Sequence, residues 1–277
     1  MKNGILFRLA ARVPFPAIKR ILLQRVFRQN GGRLQDLLCL YNSRFFLYKV
    51  EGVYIPDETF TPFLSFQGQL DKCKNESLYH YIPREGDTII NLGAGIGEEI
   101  LFYAQLAGNT GRVIAVEAHP EAFKVLQQTV SLNKLCNVTC VHAAIAGEEG
   151  HVSLSLDSHS YDSTSLNTGQ AQKQIEVPAL TAAGLLDQYC PGKISLLKSN
   201  IEGGERFLAA TLTPEQLHRI ENIAVACHDF RFRKEGHPFF QTRQLMTRFF
   251  EDNGFVIQTR QTGIDYLDDW IYGSHKK

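Results

Sequence analysis

Apolar and polar positions along the chain fall into short runs and helical stripes that alternate. Thr88-Ile89-Ile90-Asn91-Leu92 is a short, mostly apolar run of the kind that forms a buried parallel strand. Over 98–107 the apolar positions Ile100, Leu101, Ala104 and Leu106 take helical spacing, and glycines from Gly108 to Gly111 end the segment. The next strand is predicted over 112–116, with Glu117 at its tip, and a helix over 120–133 with Pro120 in its first turn. Strands follow at 138–142, 151–156, 174–178, 193–199 and 221–227, then closing strands at 255–259 and 265–272. Helical spacing covers 181–189, 203–210, 213–220 and 241–253 between them. Strands separated by helices predict an open α/β sheet.

Upstream the pattern is less regular. Residues 45–50 and 53–56 read as two short strands around Glu51-Gly52, a hairpin. Phe60, Phe63, Leu64 and Phe66 form an aromatic cluster suited to packing, and a helix is expected over 76–82 before the turn at 83–87. The organisation predicted is an N-terminal helical extension and hairpin connector over 1–75 and a catalytic domain over 76–277.

Gly93-Ala94-Gly95-Ile96-Gly97 follows the first core strand at once, and glycines let a backbone turn sharply while a ligand approaches it closely. In such sheets ligands bind outside the carboxyl ends of the strands, where an acid can take both hydroxyls of a ribose. Glu117 lies 20 residues after Gly97, a distance that suits that role. A dinucleotide fingerprint wants a third glycine where this chain has Glu98, and a carboxylate at a helix N-terminus would repel a pyrophosphate. S-adenosylmethionine has no phosphate and carries a positive sulfonium, so Glu98 and Glu99 are tolerable neighbours. The pattern therefore favours the methyl donor over a nicotinamide cofactor or a ligand-free βαβ unit. Ala118 and His119 extend the ribose strand end, and Ala143-Ala144-Ile145 lies just past the third strand, where an adenine would sit.

Two further strand ends carry polar chemistry. Leu197-Lys198-Ser199-Asn200-Ile201-Glu202-Gly203-Gly204-Glu205 closes the fourth strand, and His228-Asp229 follows the fifth, with His237 in the loop beyond. His228 is a candidate base, and the bland alternative is a structural histidine. The spacing of Glu202, Asp229 and His237 does not support a metal, and none is expected. Residues 158–172, rich in Ser, Thr and Gly, form a loop long enough to cover a site.

Composition narrows the classes. A formal net charge of zero over 277 residues argues against nucleic acid as the main partner. The six cysteines form no CxxC pair and read as thiols of a reducing, cytoplasmic compartment. No apolar run reaches the length of a membrane span. The neutral total hides an asymmetry, because residues 1–35 hold eight Lys or Arg and no acid. Ile5, Leu6, Leu9 and Val13, then Ile18, Ile21, Leu22 and Val26, take helical spacing there. Such a segment either lies on an anionic membrane surface or docks on the catalytic domain with its arginines in solvent.

Taken together, GDTIINLGAGIGEE, VIAVEAHP, Thr164-Ser165-Leu166 and LLKSNIEGGE resemble the FkbM family of S-adenosylmethionine-dependent methyltransferases, over about residues 76–260. The K-x-D-x-E-G-x-E signature is the specific part. The resemblance implies a Rossmann-like class I fold with a mostly parallel seven-stranded sheet, and O-methylation of a hydroxyl on a sugar, glycan or related small molecule. It places Gly93, Ala94, Gly95 and Gly97 along the methionine half of the donor, Glu117 at the ribose, and Lys198, Glu202 and Glu205 at the signature positions. Asn91 and Asn200 stand where the family usually has Asp. Asn91 keeps an acceptor and loses the charge, a charge-assisted bond being roughly twice as strong as a neutral one. Asn200 cannot serve as a base. An alcohol must lose its proton as the methyl arrives, so His228 is the first candidate base and Glu202 or Glu205 the second. A methyltransferase-like scaffold with weak or no catalysis is the alternative.

Overall fold

The computed structural model describes residues 16–29, 34–41, 44–58, 65–156, 165–166 and 173–275. The basic stretch before Pro16, the apolar residues Phe60, Phe63 and Leu64, and Thr164 with most of the polar loop lie outside the described residues.

The chain opens with α1 (Pro16–Gln29) and an antiparallel sheet of β1 (Leu34–Leu40), β2 (Phe45–Val50) and β3 (Val53–Asp57). The expected hairpin is β2–β3, and β1 joins its open side in a register from Leu34 opposite Val50 to Leu40 opposite Phe45. α1 turns Leu23 and Phe27 onto Leu37, Phe46 and Tyr48, and the same cluster reaches Leu101 in the catalytic part. Arg25 and Arg28 stay exposed on the opposite side, so the inner face of α1 is docked.

The helix expected over 76–82 is displaced. α2 (Phe66–Asn75) ends where that helix was to begin, and Ser65 caps its start by accepting the Gly68 N–H at 3.0 Å. Its end closes at Glu76, and residues 76–80 turn and bend, with the Leu78 N–H donating to the Cys73 carbonyl at 2.8 Å.

The core then alternates as expected: β4 (Thr88–Leu92), α3 (Ile100–Ala107), β5 (Arg112–Glu117), α4 (Pro120–Leu132) and β6 (Val138–His142). A four-stranded excursion follows, β7 (Ala144–Ile145), β8 (Gly150–Leu156), β9 (Ser165–Leu166) and β10 (Lys173–Leu180), in the order β7-β10-β8-β9. The chain returns through α5 (Ala182–Tyr189), β11 (Leu196–Ser199), α6 (Arg206–Thr211), α7 (Pro214–His218), β12 (Asn222–Ala226), α8 (Asp229–Glu235) and α9 (Arg243–Asp252). It closes with β13 (Phe255–Thr259), α10 (Asp265–Asp268) and β14 (Trp270–His275). The strand expected over 265–272 is thus split. Asp268 accepts from the N–H groups of Thr262 and Gly263, which pins a turn and ends the extended run until Trp270.

The seven-stranded sheet runs β13-β14-β12-β11-β4-β5-β6, parallel from β12 to β6, with β14 antiparallel to both of its neighbours, β12 and β13. Period-two alternation divides its side chains between two layers. Ile90, Leu92, Ile114, Val116 and Leu197 pack under α5, α6 and α9, and Ile89, Val113, Ala115 and Leu196 pack under α3. Each fully buried Ile or Leu contributes about 1.5–3 kcal/mol, which fixes the central strands and therefore where their ends lie. No described helix is long and apolar enough to cross a membrane.

Candidate functional site

Four parallel strands release their chemistry at one rim of the sheet. β4 ends in the glycine turn, β5 in Glu117, β11 in Asn200 to Glu202, and β12 leads into His228. Between them lies a cleft of about 430 Å³, within the usual range for small-molecule sites.

The glycine turn is shaped by its neighbour strand. Gly93 and Ala94 both donate to the Val116 carbonyl, at 3.0 and 2.9 Å, while Gly93 holds φ at 75°. A Cβ at Gly93 would stand 1.9 Å from the Asn200 carbonyl oxygen, so glycine alone lets β4 leave the sheet across the exit of β11. Glu117 accepts from the N–H of Gly95 at 2.8 Å and from that of His119 at 2.7 Å, one bond to each oxygen. Glu117 lines the cleft beside the glycine turn. Ala118, Ala143, Ala144 and Ile145 form an adjoining wall of mostly apolar character, extended by Leu154 and Leu166.

Lys198 is 2% exposed and still reaches the cleft. Its Nζ lies 2.8 Å from Glu99 Oε2 and donates to the Gly93 carbonyl at 3.1 Å. Ser77 donates to Glu99 in turn, and Tyr103 donates to Ser77 at 2.7 Å. Burial would raise the Glu99 carboxyl, but Lys198 and these hydrogen bonds overcome it and hold the group below the usual carboxylate range. Lys198 thus braces the glycine turn against the start of α3.

His228 is buried between two carboxylates. Nδ1 lies 2.5 Å from Glu205 Oε1 and Nε2 lies 3.2 Å from Glu202 Oε1. Burial disfavours the charged ring, yet Glu202 and Glu205 outweigh it and push the pKa up to about 10. His228 is therefore an imidazolium at neutral pH with both nitrogens engaged. A histidine serves as a base only when neutral with a free lone pair, and here both ring nitrogens of His228 face carboxylates. Glu202 also takes Arg231 Nη1 at 2.6 Å, and Arg231 stacks 3.9 Å from the centre of the Phe240 ring. Burial would raise the Glu202 carboxyl, but His228 and Arg231 hold it below its ordinary range. Its backbone sits at φ 53°, a strained conformation for a residue with a side chain, which aims the carboxylate into this cluster.

Of the expected site residues, Gly93, Ala94, Gly95, Glu117, Ala118, Ala143, Ala144, Lys198, Glu202 and His228 converge on the cleft. Asn91, Gly97, His119 and Glu205 stand outside its wall. Asn91 is wholly buried in β4, opposite Ala115 and Lys198, with neither end of its amide hydrogen-bonded among the described residues. Gly97 packs on α4, a Cβ there meeting Leu126 at 3.0 Å. His119 caps α4 by accepting from the N–H groups of Glu121 and Ala122. Glu205 has no exposure and lies behind His228. Asp229 accepts from the N–H groups of Thr242 and Arg243, and His237 caps the short turn at Pro238–Phe240. Residues that the sequence reading missed complete the walls: Gln69, Lys72, Cys73 and Glu76 on one side, and Phe230, Tyr266 and Trp270 on another. The first four share one helical spacing, a signal lost because their segment reads as a connector.

The Methyltransferase FkbM domain model matches residues 91–257, more than half of the chain. No curated protein matches the sequence. Among solved structures, fibrillarin of Aeropyrum pernix with natively bound S-adenosyl-L-methionine is 12% identical, covers 87% of this chain and 99% of its own, and has a TM-score of 0.43. The precorrin-6y C5,15-methyltransferase of Geobacter metallireducens is 13% identical, covers 79% and 94%, and has a TM-score of 0.43. The mostly parallel sheet, with β14 reversed against its neighbours, and the glycine turn are those of the Rossmann-like class I methyltransferase fold. The chain belongs to the FkbM family of S-adenosylmethionine-dependent methyltransferases.

The cleft fits that donor. A carboxylate stands at the tip of β5, small apolar side chains adjoin it, and the glycine turn is flanked by Glu98 and Glu99 rather than by phosphate-binding groups.

Proposed function

We propose that the chain transfers the methyl group to a hydroxyl of a sugar, glycan or related small molecule. One observation supports the reading: the cleft that holds the glycine turn is also lined by Glu202 and by Phe230, Tyr266 and Trp270. Flat apolar faces beside a carboxylate suit a ring that presents both C–H faces and hydroxyls.

When bound, S-adenosylmethionine supplies a methyl group on a positive sulfur that departs as a neutral thioether. The residues of this chain position and deprotonate. Glu117 holds the ribose, Ala143 and Ala144 flank the adenine, and Lys198 fixes the Gly93 turn against which the donor lies. Glu202 accepts the hydroxyl proton as the new C–O bond forms and the C–S bond breaks. It is the carboxylate of the signature that reaches the cleft, which Glu205 does not. His228 and Glu205 are positioning residues behind it, and Arg231 steadies its second oxygen. Aligning acceptor oxygen and methyl carbon supplies much of the rate.

The test is incubation with methyl-labelled donor and matched panels of hydroxylated sugars, glycosides and primary amines. Label in an alkali-stable ether of a hydroxylated acceptor is the expected result. Label confined to amines overturns the reading. Tight donor binding with no transfer to either panel favours the catalytically weak scaffold, to which the asparagines at 91 and 200 point.

A further inference from the structure

The helix α1 has two faces, and the fold uses one of them. Its inner side chains Leu23, Val26 and Phe27 are buried, and Leu23 and Phe27 pack on Leu37, Phe46 and Tyr48. Lys19 is buried with them, its ammonium 5.7 Å from the centre of the Phe46 ring. On the outer side Ile18, Ile21, Arg25 and Arg28 stand at i, i+3, i+7 and i+10, the spacing of one helical stripe, and all four are exposed. Ile18 is 49% exposed and Ile21 65%, the highest value of any large apolar side chain among the described residues. Single apolar side chains on a surface are ordinary. These two share their stripe with cations.

Charge decides what can cover this face. α1 contains Lys19, Arg20, Arg25 and Arg28 and no acidic residue. Its outer face carries three of these cations, Arg20 also reaching Asp36 of β1 at 3.0 Å. The sequence ahead of Pro16 adds Lys2, Arg8 and Arg12, again with no acid. A nucleic-acid backbone would engage the arginines and leave the isoleucines in water. A purely apolar surface would strand the arginines. A bilayer with anionic headgroups meets both, because its phosphates lie where the guanidinium groups reach and its acyl chains lie just beneath.

We propose that the outer face of α1 seats the protein on an anionic membrane surface, with Ile18 and Ile21 at the boundary of headgroups and acyl chains and Arg25 and Arg28 at the phosphates. The contact is interfacial, since no described helix is long and apolar enough to cross a bilayer. The cluster under α1 runs on to Leu101 of α3, so a docked α1 carries the catalytic part with it.

The test is co-sedimentation of the full chain with vesicles of phosphatidylcholine alone and of phosphatidylcholine mixed with phosphatidylglycerol. Binding to the mixed vesicles, little to the neutral ones, and weakening as salt rises are expected. Each arginine near such a surface strengthens binding by roughly fivefold, so Arg25→Ala together with Arg28→Ala should weaken it about 25-fold. Ile18→Ser together with Ile21→Ser should weaken it about five- to tenfold and leave the melting temperature unchanged, since both side chains already lie in solvent. Ile21→Trp reads the contact directly: its emission should shift to the blue on the mixed vesicles, over the constant background of the buried Trp270. Equal binding to both kinds of vesicle, binding to neither, or undiminished binding by either double variant overturns the proposal. Binding to duplex DNA as tight as to the mixed vesicles, lost with the arginines and kept without the isoleucines, would make the face a nucleic-acid surface and overturn it as well.

Discussion

Replacing Glu205 by Gln tests the buried imidazolium most directly. The change keeps the shape of the side chain and removes one of the two carboxylates that hold His228 charged. The rise of the His228 pKa from 6.5 to about 10 corresponds to on the order of 5 kcal/mol of folding free energy. That is the same order as the roughly 3–5 kcal/mol lost when one partner of a buried pair is removed. Two carboxylates share this effect, so losing one costs about 2 kcal/mol. The new amide N–H₂ would take the place of Glu205 Oε2, which has no hydrogen-bond partner among the described residues, or flip to face His228 and Thr242; an unsatisfied buried donor adds about 1 kcal/mol. The expected loss near neutrality is therefore about 3 kcal/mol. Its pH dependence is the sharper signature. A group whose folded pKa is raised stabilises fully below its unfolded value and ceases to do so as pH rises through the folded one. The gap between wild type and Glu205→Gln should narrow to about 1 kcal/mol as pH passes about 10, whatever other groups titrate in both proteins. Urea denaturation of both near neutrality and above that pH measures it, with the His228 ring followed by NMR. A gap of equal size at both pH values, or none at neutrality, would refute the reasoning.

Three other substitutions separate the roles assigned to the cleft. Glu202→Gln should lower turnover by about 10²- to 10⁴-fold while leaving donor affinity within a few-fold, read by single-turnover transfer and calorimetry. Because His228 and Arg231 hold the Glu202 carboxyl low against the opposing effect of burial, its stabilisation is present above the ordinary carboxylate range and fades as pH falls through its own lower value; a wild-type rate already lost at mildly acid pH would count against it. Glu117→Ala should weaken the donor by about 100-fold or more, since it removes acceptors for two hydroxyls and frees the Gly95 and His119 N–H groups; unchanged affinity would move the ribose elsewhere. Gly93→Ala should cost about 3 kcal/mol or more, because φ is 75° and the added carbon meets the Asn200 carbonyl at 1.9 Å. A wild-type melting temperature for that variant would mean the β4 and β11 exits are not in contact.

Much of this protein was legible in its sequence because the signals are local. Apolar strands of period two, helical stripes, glycines after β4 and an acid at the tip of β5 each report on a few neighbouring residues, and they placed the α/β core and the donor turn. Pro120 and Thr181 marked helix starts where the structure has them, Pro120 as the first residue of α4 and Thr181 as the cap of α5. The local signal failed where a cap or a carboxylate overrode the pattern: Ser65 caps a helix over 66–75, ahead of the one expected over 76–82, and Asp268 broke a run that otherwise reads as strand. What chemistry each polar residue performs was decided only by tertiary structure. His228 and Glu205 are 23 residues apart along the chain, and their approach to 2.5 Å turns a candidate base into a buried cation. Lys198 meets Gly93 across 105 residues and becomes a brace for the turn. The α2 wall borders the cleft only because the sheet brings it there. Spacing along the chain fixes backbone form, but protonation state and the contents of a cleft depend on which distant charges burial brings together.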